Sequence, residues 1–533
     1  MRRKMTSQCA RLILALALAA PLTAQGAQAA AARLTGSTVP FAADVRVIGD
    51  ADPAAPVHFN VALRLRGVEE LYARLDAGRR TEPDELVERF LPTQAQYDAV
   101  LEWLKAEGLT VERLSATRTM VGVTGSVARV GDALAVHFSQ VQTGGKDWVA
   151  ADTAPSVPAE LMSTIASING LQPYLRRHTN IIPAPRNSAF GGYTPLGLRY
   201  AYAANTLTKT GGGTTTAIII DTVPYTSDLT GFWTQMNIPQ SLSNITYIAA
   251  SVTALNKLPP PSGEETLDVE MSSSLSPASK VRVYATGTLQ DTAIDNGYEA
   301  IIYDIVGNQL PIRQVSISLG QCEPGTPSGQ VLTDIYYHAI LASLGATVLV
   351  ASGDSGSSEC GAGKGTYASF DSTSPYVTAV GGTHLVMNGT VVTSETAWKG
   401  SGGGVSVYFS TPSYQSGLGL PSRGVPDVAA VGDPATGVAI LLNGQWKVFG
   451  GTSVATPIWA GLMGLVNQAR NTAGKPSLGS LNARVYPLLK TTNFRDIKTG
   501  SNGAYGAKVG YDLVTGIGTP LMSKLLPTLV NQN

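Results

Sequence analysis

The chain carries no excess of either charge: 38 basic and 38 acidic side chains among 533 residues leave a formal net charge of zero. A bulk electrostatic pull toward nucleic acid or an anionic membrane is therefore not its organising feature. Charged residues are also few, 14% against 44% apolar, which excludes a disordered chain and supplies ample core. The 57 glycines follow no Gly-X-Y period, so they mark turns and not a collagen helix. No internal repeat is visible. Apolar runs are short: the longest, Leu12–Ala20, is about half of the ~20 residues that span a bilayer.

That run follows Arg2, Arg3, Lys4 and Arg11, and small residues lead from it to Ala27-Gln28-Ala29. This is the pattern of a secretory signal peptide over residues 1–29. The mature protein is expected to be soluble and secreted to the extracellular space, with the periplasm a place of transit. Of three cysteines, Cys9 leaves with the leader, and Cys322 and Cys360 remain as an even pair in an oxidising compartment. A Cys322–Cys360 disulfide is the expected reading, with two buried thiols the alternative; closing the loop would contribute roughly 3–4 kcal/mol.

At about 150 residues per domain, the length allows two to four domains. Residues 1–189 hold 20 basic and 18 acidic side chains, half of all the charge in about a third of the chain. In this charge-rich front, His58–Leu65, Leu109–Leu114, Met120–Thr124 and Val136–Val141 read as strands. Val68–Asp76, Gln94–Glu107 and Ser126–Leu134 read as helices, the second stopped by Gly108. The pattern is that of an α+β domain over 30–175. A Pro-, Gly- and Asn-rich stretch over 176–192, starting Arg176-Arg177-His178, reads as an exposed linker of the kind that is nicked. Beyond it, buried strands at Thr215–Asp221, Gln314–Leu319 and Thr347–Ala351 alternate with helical segments at Tyr298–Val306 and Thr333–Leu344. Strands alternating with helices predict an α/β domain over 193–533, a parallel sheet with helices on both faces and ligands at the strands' carboxyl ends.

Gly450-Gly451-Thr452-Ser453 leads into an apolar stretch, Ile458–Val466, and so offers a hydroxyl at a helix N-terminus. An ordinary N-cap is the plainer reading. A serine nucleophile needs a base, and none of the five histidines stands in a convincing setting. His58, His137 and His178 lie before or at the linker, His338 is in a helical pattern and His384 in a strand-like run. Glu264 and Asp268, four apart, would share a helix face and one proton, although they also suit a solvated acidic first turn. Glu265, three before Asp268, leaves the register open. Ser352-Gly353-Asp354-Ser355-Gly356 puts a carboxyl on a turn after a buried strand; kept neutral, it would donate to an oxyanion, and otherwise it is a plain turn aspartate.

In order and spacing, Gly263–Asp268, Ser352–Gly356, Ser401-Gly402-Gly403-Gly404-Val405-Ser406 and Gly451–Pro457 resemble the sedolisin family of serine-carboxyl peptidases, kumamolisins included. The opening Tyr193–Arg199 and the closing Asp496-Ile497 and Gly510-Tyr511-Asp512 also match, so the resemblance covers about residues 33–525. It implies a subtilisin-like fold behind a ferredoxin-like propeptide that chaperones folding and blocks the cleft. Acid cleavage near 180–192 would release it, as carboxylates in its contacts protonate. It implies an acid endopeptidase with Ser453 as nucleophile, Glu264 as general base, Asp268 as partner carboxyl and Asp354 in the oxyanion hole. Ser401, Gly402, Gly403 and Gly404 match a backbone strand that pairs with extended substrate. Asp221 stands where kumamolisin-like members extend the carboxyl network with Glu, and Leu319 where they carry Trp. One Ca²⁺ is implied at Asp496, Ile497, Lys508, Gly510 and Asp512, with Lys508 replacing a usual Gly. Expected partners are protein or peptide substrates and the chain's own propeptide, with the mature enzyme a monomer. A Ser-His-Asp peptidase using Asp221 lacks a suitable His between Asp221 and Ser453. A secreted binding protein or inactive relative leaves the intact Glu264, Asp268, Asp354 and Ser453 unexplained.

Overall fold

The structure, a computed structural model, describes residues 31–184 and 191–532; the expected signal peptide and positions 185–190 lie outside them. In the front body a four-stranded antiparallel sheet runs in the order Thr110–Leu114, Met120–Ser126, Pro56–Leu63, Ile165–Asn169. Helix Gln94–Ala106 begins at a capping box between Thr93 and Gln96 and stops before Gly108, which turns at φ +70°. Its Tyr97, Val100 and Leu104 bury against Val61, Val121 and Val123 of the sheet. Helices Val68–Asp76 and Val127–Leu134 fall at the expected positions. The strand expected at Val136–Val141 runs over Phe138–Thr143 and pairs with Lys146–Ala151.

The rear body is built on strands β1 (Thr215–Ile220), β2 (Ile245–Ala249), β3 (Lys280–Ala285), β4 (Ile312–Ile317), β5 (Thr347–Ala351), β6 (Thr378–Asn388), β7 (Val391–Ala397) and β8 (Val428–Val431). They lie in the order β2-β3-β1-β4-β5-β6, all parallel; β7 joins β6 antiparallel and β8 joins it parallel. The fully buried apolar runs of β1, β4 and β5 place them inside the sheet, covered on both faces. Four helices matter to the site: α1 (Glu264–Leu275), α2 (Asp291–Val306), α3 (Ser328–Ser343) and α4 (Thr452–Thr472). Close packing sets α4 against α1. A Cβ on Gly461 would lie 2.8 Å from both the Leu275 Cβ and the Ser272 carbonyl oxygen. Among the described residues no helix is long and apolar enough to cross a membrane.

The front body sits on α2 and α3. The Ser115, Thr117 and Thr119 hydroxyls donate to the Glu299 carboxylate at 2.5–2.6 Å. The Asn60 amide donates to Asp295 at 3.1 Å. These are buried polar contacts, each with its partner supplied by the other body.

Candidate active site

Helix N-termini bring the nucleophile and base candidates together. Gly263 turns the chain at φ +119° so that Glu264 opens α1, and Gly451 at φ +111° lets Ser453 lie in the first turn of α4. The Ser453 hydroxyl donates to Glu264 Oε2 at 2.9 Å, with the Ser318 carbonyl at 3.3 Å. Asp268 lies one helical turn beyond Glu264, and the Ser318 hydroxyl donates to its Oδ1 at 2.7 Å. Glu264, Asp268 and Ser453 are all fully buried. Glu264 Oε1 and Asp268 Oδ2 have no hydrogen-bond partner among the described residues. Burial raises both carboxyls well above the ordinary range, and Asp268 raises Glu264 further. Glu265 faces elsewhere: it accepts from the Ser262 hydroxyl and the Gly263 N–H. The register left open between Glu264 and Glu265 is therefore closed in favour of Glu264.

Asp354 follows β5 on a turn and is gripped by Thr452, the residue before the nucleophile candidate. Its Oδ1 accepts from the Thr452 N–H at 2.7 Å and the Thr452 hydroxyl at 2.9 Å. Oδ2 is buried without a partner among the described residues. Burial pushes the carboxyl up to about 8, so at neutral and acid pH Oδ2 carries a proton it can donate. Asp221 directly follows β1, half-buried, and burial raises its carboxyl, with the Glu265 charge raising it further. No hydrogen bond joins it to Glu264 or Asp268 among the described residues.

Two expectations are corrected by the geometry. Residues 176–184 are not a free linker: backbone pairing draws them through the cleft, although Arg176, His178 and Pro183 stay exposed. His178–Thr179 pairs antiparallel with Leu319–Cys322, and Ile182–Pro183 with Gln445–Gly450. Arg177 and Asn180 are buried to 1% exposure. The Asn180 N–H donates to the Ser318 carbonyl at 3.2 Å, and its carbonyl accepts from the Ser453 N–H at 3.1 Å. Ser401–Gly404, in turn, does not pair with this extended segment; Leu319–Cys322 does. The Ser401 hydroxyl is spent on the Val514 carbonyl, and Gly404–Val405 pairs with Gly424–Val425. A Cβ on Gly402 would lie 2.0 Å from the Ser352 carbonyl oxygen, and one on Gly403 1.9 Å from that of Leu513. These glycines let a strand press against the Asp354 turn, and the Gly402 N–H holds the Gly353 carbonyl at 2.7 Å.

Sequence reading passed over Ser318, Thr452, Asn180 and the Leu319–Cys322 strand. Ser318 had a signal, since it stands at the carboxyl end of a buried strand. Cys322 and Cys360 form a disulfide, which ties the end of the pairing strand to the loop carrying Glu359. Glu359 Oε1 lies 3.1 Å from His178 Nε2. The other histidines of this body are committed elsewhere. His338 is buried against the Tyr298 hydroxyl at 2.8 Å and pushed down to about 3, and His384 pairs with Asp433 at 2.8 Å.

Toward the C-terminus, Asp496 and Asp512 converge on the turn at Lys508–Gly510. Asp496 accepts from the Gly510 N–H at 3.1 Å and Asp512 from the Lys508 N–H at 3.1 Å. Gly510 needs its positive φ of +86°; Lys508 is not among the positive-φ residues, so lysine is tolerated there. Among the described residues no group of three or more Asp, Glu, His or Cys gathers around a common point. A cation here would rest on two carboxylates and backbone carbonyls, an all-oxygen set that fits a hard ion.

Residues 43–174 match the family model described as Pro-kumamolisin, activation domain, and residues 248–507 match the Subtilase family. Kumamolisin of Bacillus sp. (strain MN-32) is 31% identical over 479 residues, 81% of this chain and 82% of that protein. Xanthomonalisin of Xanthomonas sp. (strain T-22) is 27% identical over 88% of this chain and 65% of its own. The solved structure of Pseudomonas sedolisin, a serine-carboxyl proteinase in complex with pseudo-iodotyrostatin, superposes with a TM-score of 0.56 at 26% identity, over 63% of this chain and 97% of that one.

Proposed function

The chain belongs to the sedolisin family of serine-carboxyl peptidases, and from that premise we propose that it is a secreted, acid-acting endopeptidase made as a zymogen, with residues 1–29 as its export signal and 193–533 as the enzyme. Ser453 Oγ attacks the scissile carbonyl and passes its proton to Glu264. One proton shared between Glu264 Oε1 and Asp268 Oδ2 satisfies both orphaned oxygens and steadies the charge that Glu264 gains and loses. The oxyanion is received by the Ser453 N–H and by a protonated Asp354 Oδ2, and Glu264 then returns its proton to the leaving amine. Water cleaves the acyl-enzyme by the same steps in reverse. Asp221 makes no hydrogen bond to this pair among the described residues; Glu265 raises Asp221 and both members of the pair alike.

The observation that carries this reading is the chain's own segment lying in the cleft in the manner of a substrate. The Asn180 carbonyl accepts from the Ser453 N–H while the Ser453 hydroxyl donates to Glu264. A Cβ on Gly451 would fall 2.0 Å from that carbonyl oxygen and 2.6 Å from Asp354 Oδ2, so both point into one spot that only glycine leaves open. The activation cleavage then falls between Asn180 and Ile181, and the front body is the inhibitor and folding aid. The full chain, brought to about pH 4, is expected to yield a new N-terminus at Ile181 and to digest casein there and not at about pH 8. The Ser453→Ala chain should do neither. Digestion confined to pH 8, or digestion by the alanine chain, refutes the reading.

Asp496, Asp512 and the carbonyls of Ile497, Lys508 and Gly510 would hold one Ca²⁺. The ion would supply cross-linking of the C-terminal loop.

A further inference from the structure

The segment in the cleft also marks where the side chains of a substrate go. With Asn180 before the scissile bond, Arg177 is the fourth residue back. It directly precedes His178–Thr179, which pair with Gly320 and Leu319, and its own N–H donates to the Leu289 carbonyl at 3.0 Å. Its side chain turns inward and is wholly buried. Nη2 donates to Asp334 Oδ2 at 2.8 Å and to Asp371 Oδ1 at 3.2 Å, and Nε lies 3.1 Å from Asp371 Oδ2. Asp291 and Asp295 face the same guanidinium from α2. The Gln330 amide bridges Asp295 and Asp334 at 2.8 and 3.2 Å, and the Tyr298 hydroxyl approaches Asp371 at 3.5 Å. Among the described residues, the ion pairs of Asp334 and Asp371 are with Arg177 alone.

The groups that touch the guanidinium belong to the rear body, while Asn60 and Asn169 of the front body reach, of these acids, only Asp295 behind them. Asp291, Asp295 and Tyr298 are on α2, Gln330 and Asp334 on α3, and Asp371 on the loop before β6. Once the front body and its linker depart, the carboxyls stay behind without their cation. A buried carboxyl left without that cation either stands uncompensated or takes up a proton, and in both forms it has lost its contacts with the guanidinium. A substrate that returns a guanidinium relieves that cost, and one with an uncharged side chain does not.

We propose that Asp334 and Asp371 form a guanidinium-selecting subsite of the mature enzyme, which favours peptides with arginine four residues before the scissile bond. This rests on the reading of Asn180 as the residue preceding that bond. Lysine is a poorer fit, because a point charge cannot reach both oxygens of Asp371 and the Asp334 oxygen as the planar fork does.

The test uses the full chain after acid activation and quenched-fluorescence peptides that differ only at that fourth position: Arg, Lys, Ala or Glu. The arginine peptide is expected to exceed alanine by at least about tenfold in kcat/KM, with lysine between them and glutamate lowest. Asp371→Asn should shrink the ratio of the arginine to the alanine peptide's kcat/KM, a ratio that a general loss of activity does not move. Equal rates across the wild-type series, with casein still digested, overturn the subsite and leave the peptidase reading standing. If neither casein nor any peptide is cut, the peptidase reading fails first and the subsite falls with it. The wild-type series decides the matter even where the Asp371→Asn chain does not fold.

Discussion

At Asp354 one carboxyl does two jobs. Oδ1 is an acceptor locked by Thr452, and in the proposed mechanism the unpartnered Oδ2 is a donor, which requires a proton. Burial lifts the carboxyl to about 8, so donation persists through acid and neutral pH and is lost as pH rises through that value. Asp354→Ala removes the donor and is expected to lower kcat by about 10²–10³, with KM little changed. Asp354→Asn keeps an N–H at every pH. Relative to wild type, its kcat should hold up on the alkaline side, as a pH–rate profile of each variant will show. An alanine variant with full turnover would remove Asp354 from the oxyanion hole. These roles were only partly legible from residues. A carboxyl on a Gly-rich turn after a buried strand was visible as a candidate, but the Thr452 grip that orients it joins positions 98 apart in the chain.

At the scale of elements, the site is a meeting of ends: the start of α1, the start of α4, and the turns after β4 and β5. Helices α1 and α4 approach closely only because Gly461 faces Leu275, and the Asp354 turn is wedged by Gly402 and Gly403. Gly402→Ala would drive a methyl into the Ser352 carbonyl, at 2.0 Å. Overpacking against backbone costs about 1–3 kcal/mol or more. The expected result is a lower melting temperature and a reduced kcat with KM nearly unchanged, because the pairing strand Leu319–Cys322 is untouched. A rise in KM alone would restore Ser401–Gly404 to substrate pairing. Local pattern located Val68–Asp76 and β5 to the residue, since their apolar spacing is their own. It passed over Ile165–Asn169, whose fully buried run is explained by the sheet and helix α3 on either side of it.

Over the whole molecule, one hydrophobic core lies within the front body and a larger one runs from the rear body to Leu71, Leu75, Leu86 and Phe90 of the front, and acids are concentrated at both the interface and the site. Burial raises Glu264, Asp268, Asp291, Asp334 and Asp354, with Asp291 reaching about 7 and Asp354 about 8. Each folded value exceeds the unfolded one. The stability these groups contribute is whole below their ordinary values and is lost as pH rises through the folded values. Thermal melts of the Ser453→Ala full chain should therefore fall in midpoint from about pH 5 to pH 8. A chelator should lower the midpoint further by removing the proposed Ca²⁺, worth about 2.7 kcal/mol when the ion is at a hundred times its Kd. A midpoint that climbs with pH contradicts the first expectation, and one indifferent to chelation contradicts the second.

Order and spacing of short motifs were enough to identify the nucleophile and carboxyl candidates, the α/β architecture and the α+β body in front. Hydrophobic period and helix spacing are properties of neighbouring residues. Folding alone settled that Glu264 and not Glu265 meets Ser453, that residues 177–184 thread the cleft, and that Ser401–Gly404 supports a turn while Leu319–Cys322 lies along the extended segment. Those outcomes depend on contacts between residues tens to hundreds of positions apart, where close packing and desolvation choose among options that one-dimensional pattern leaves equal.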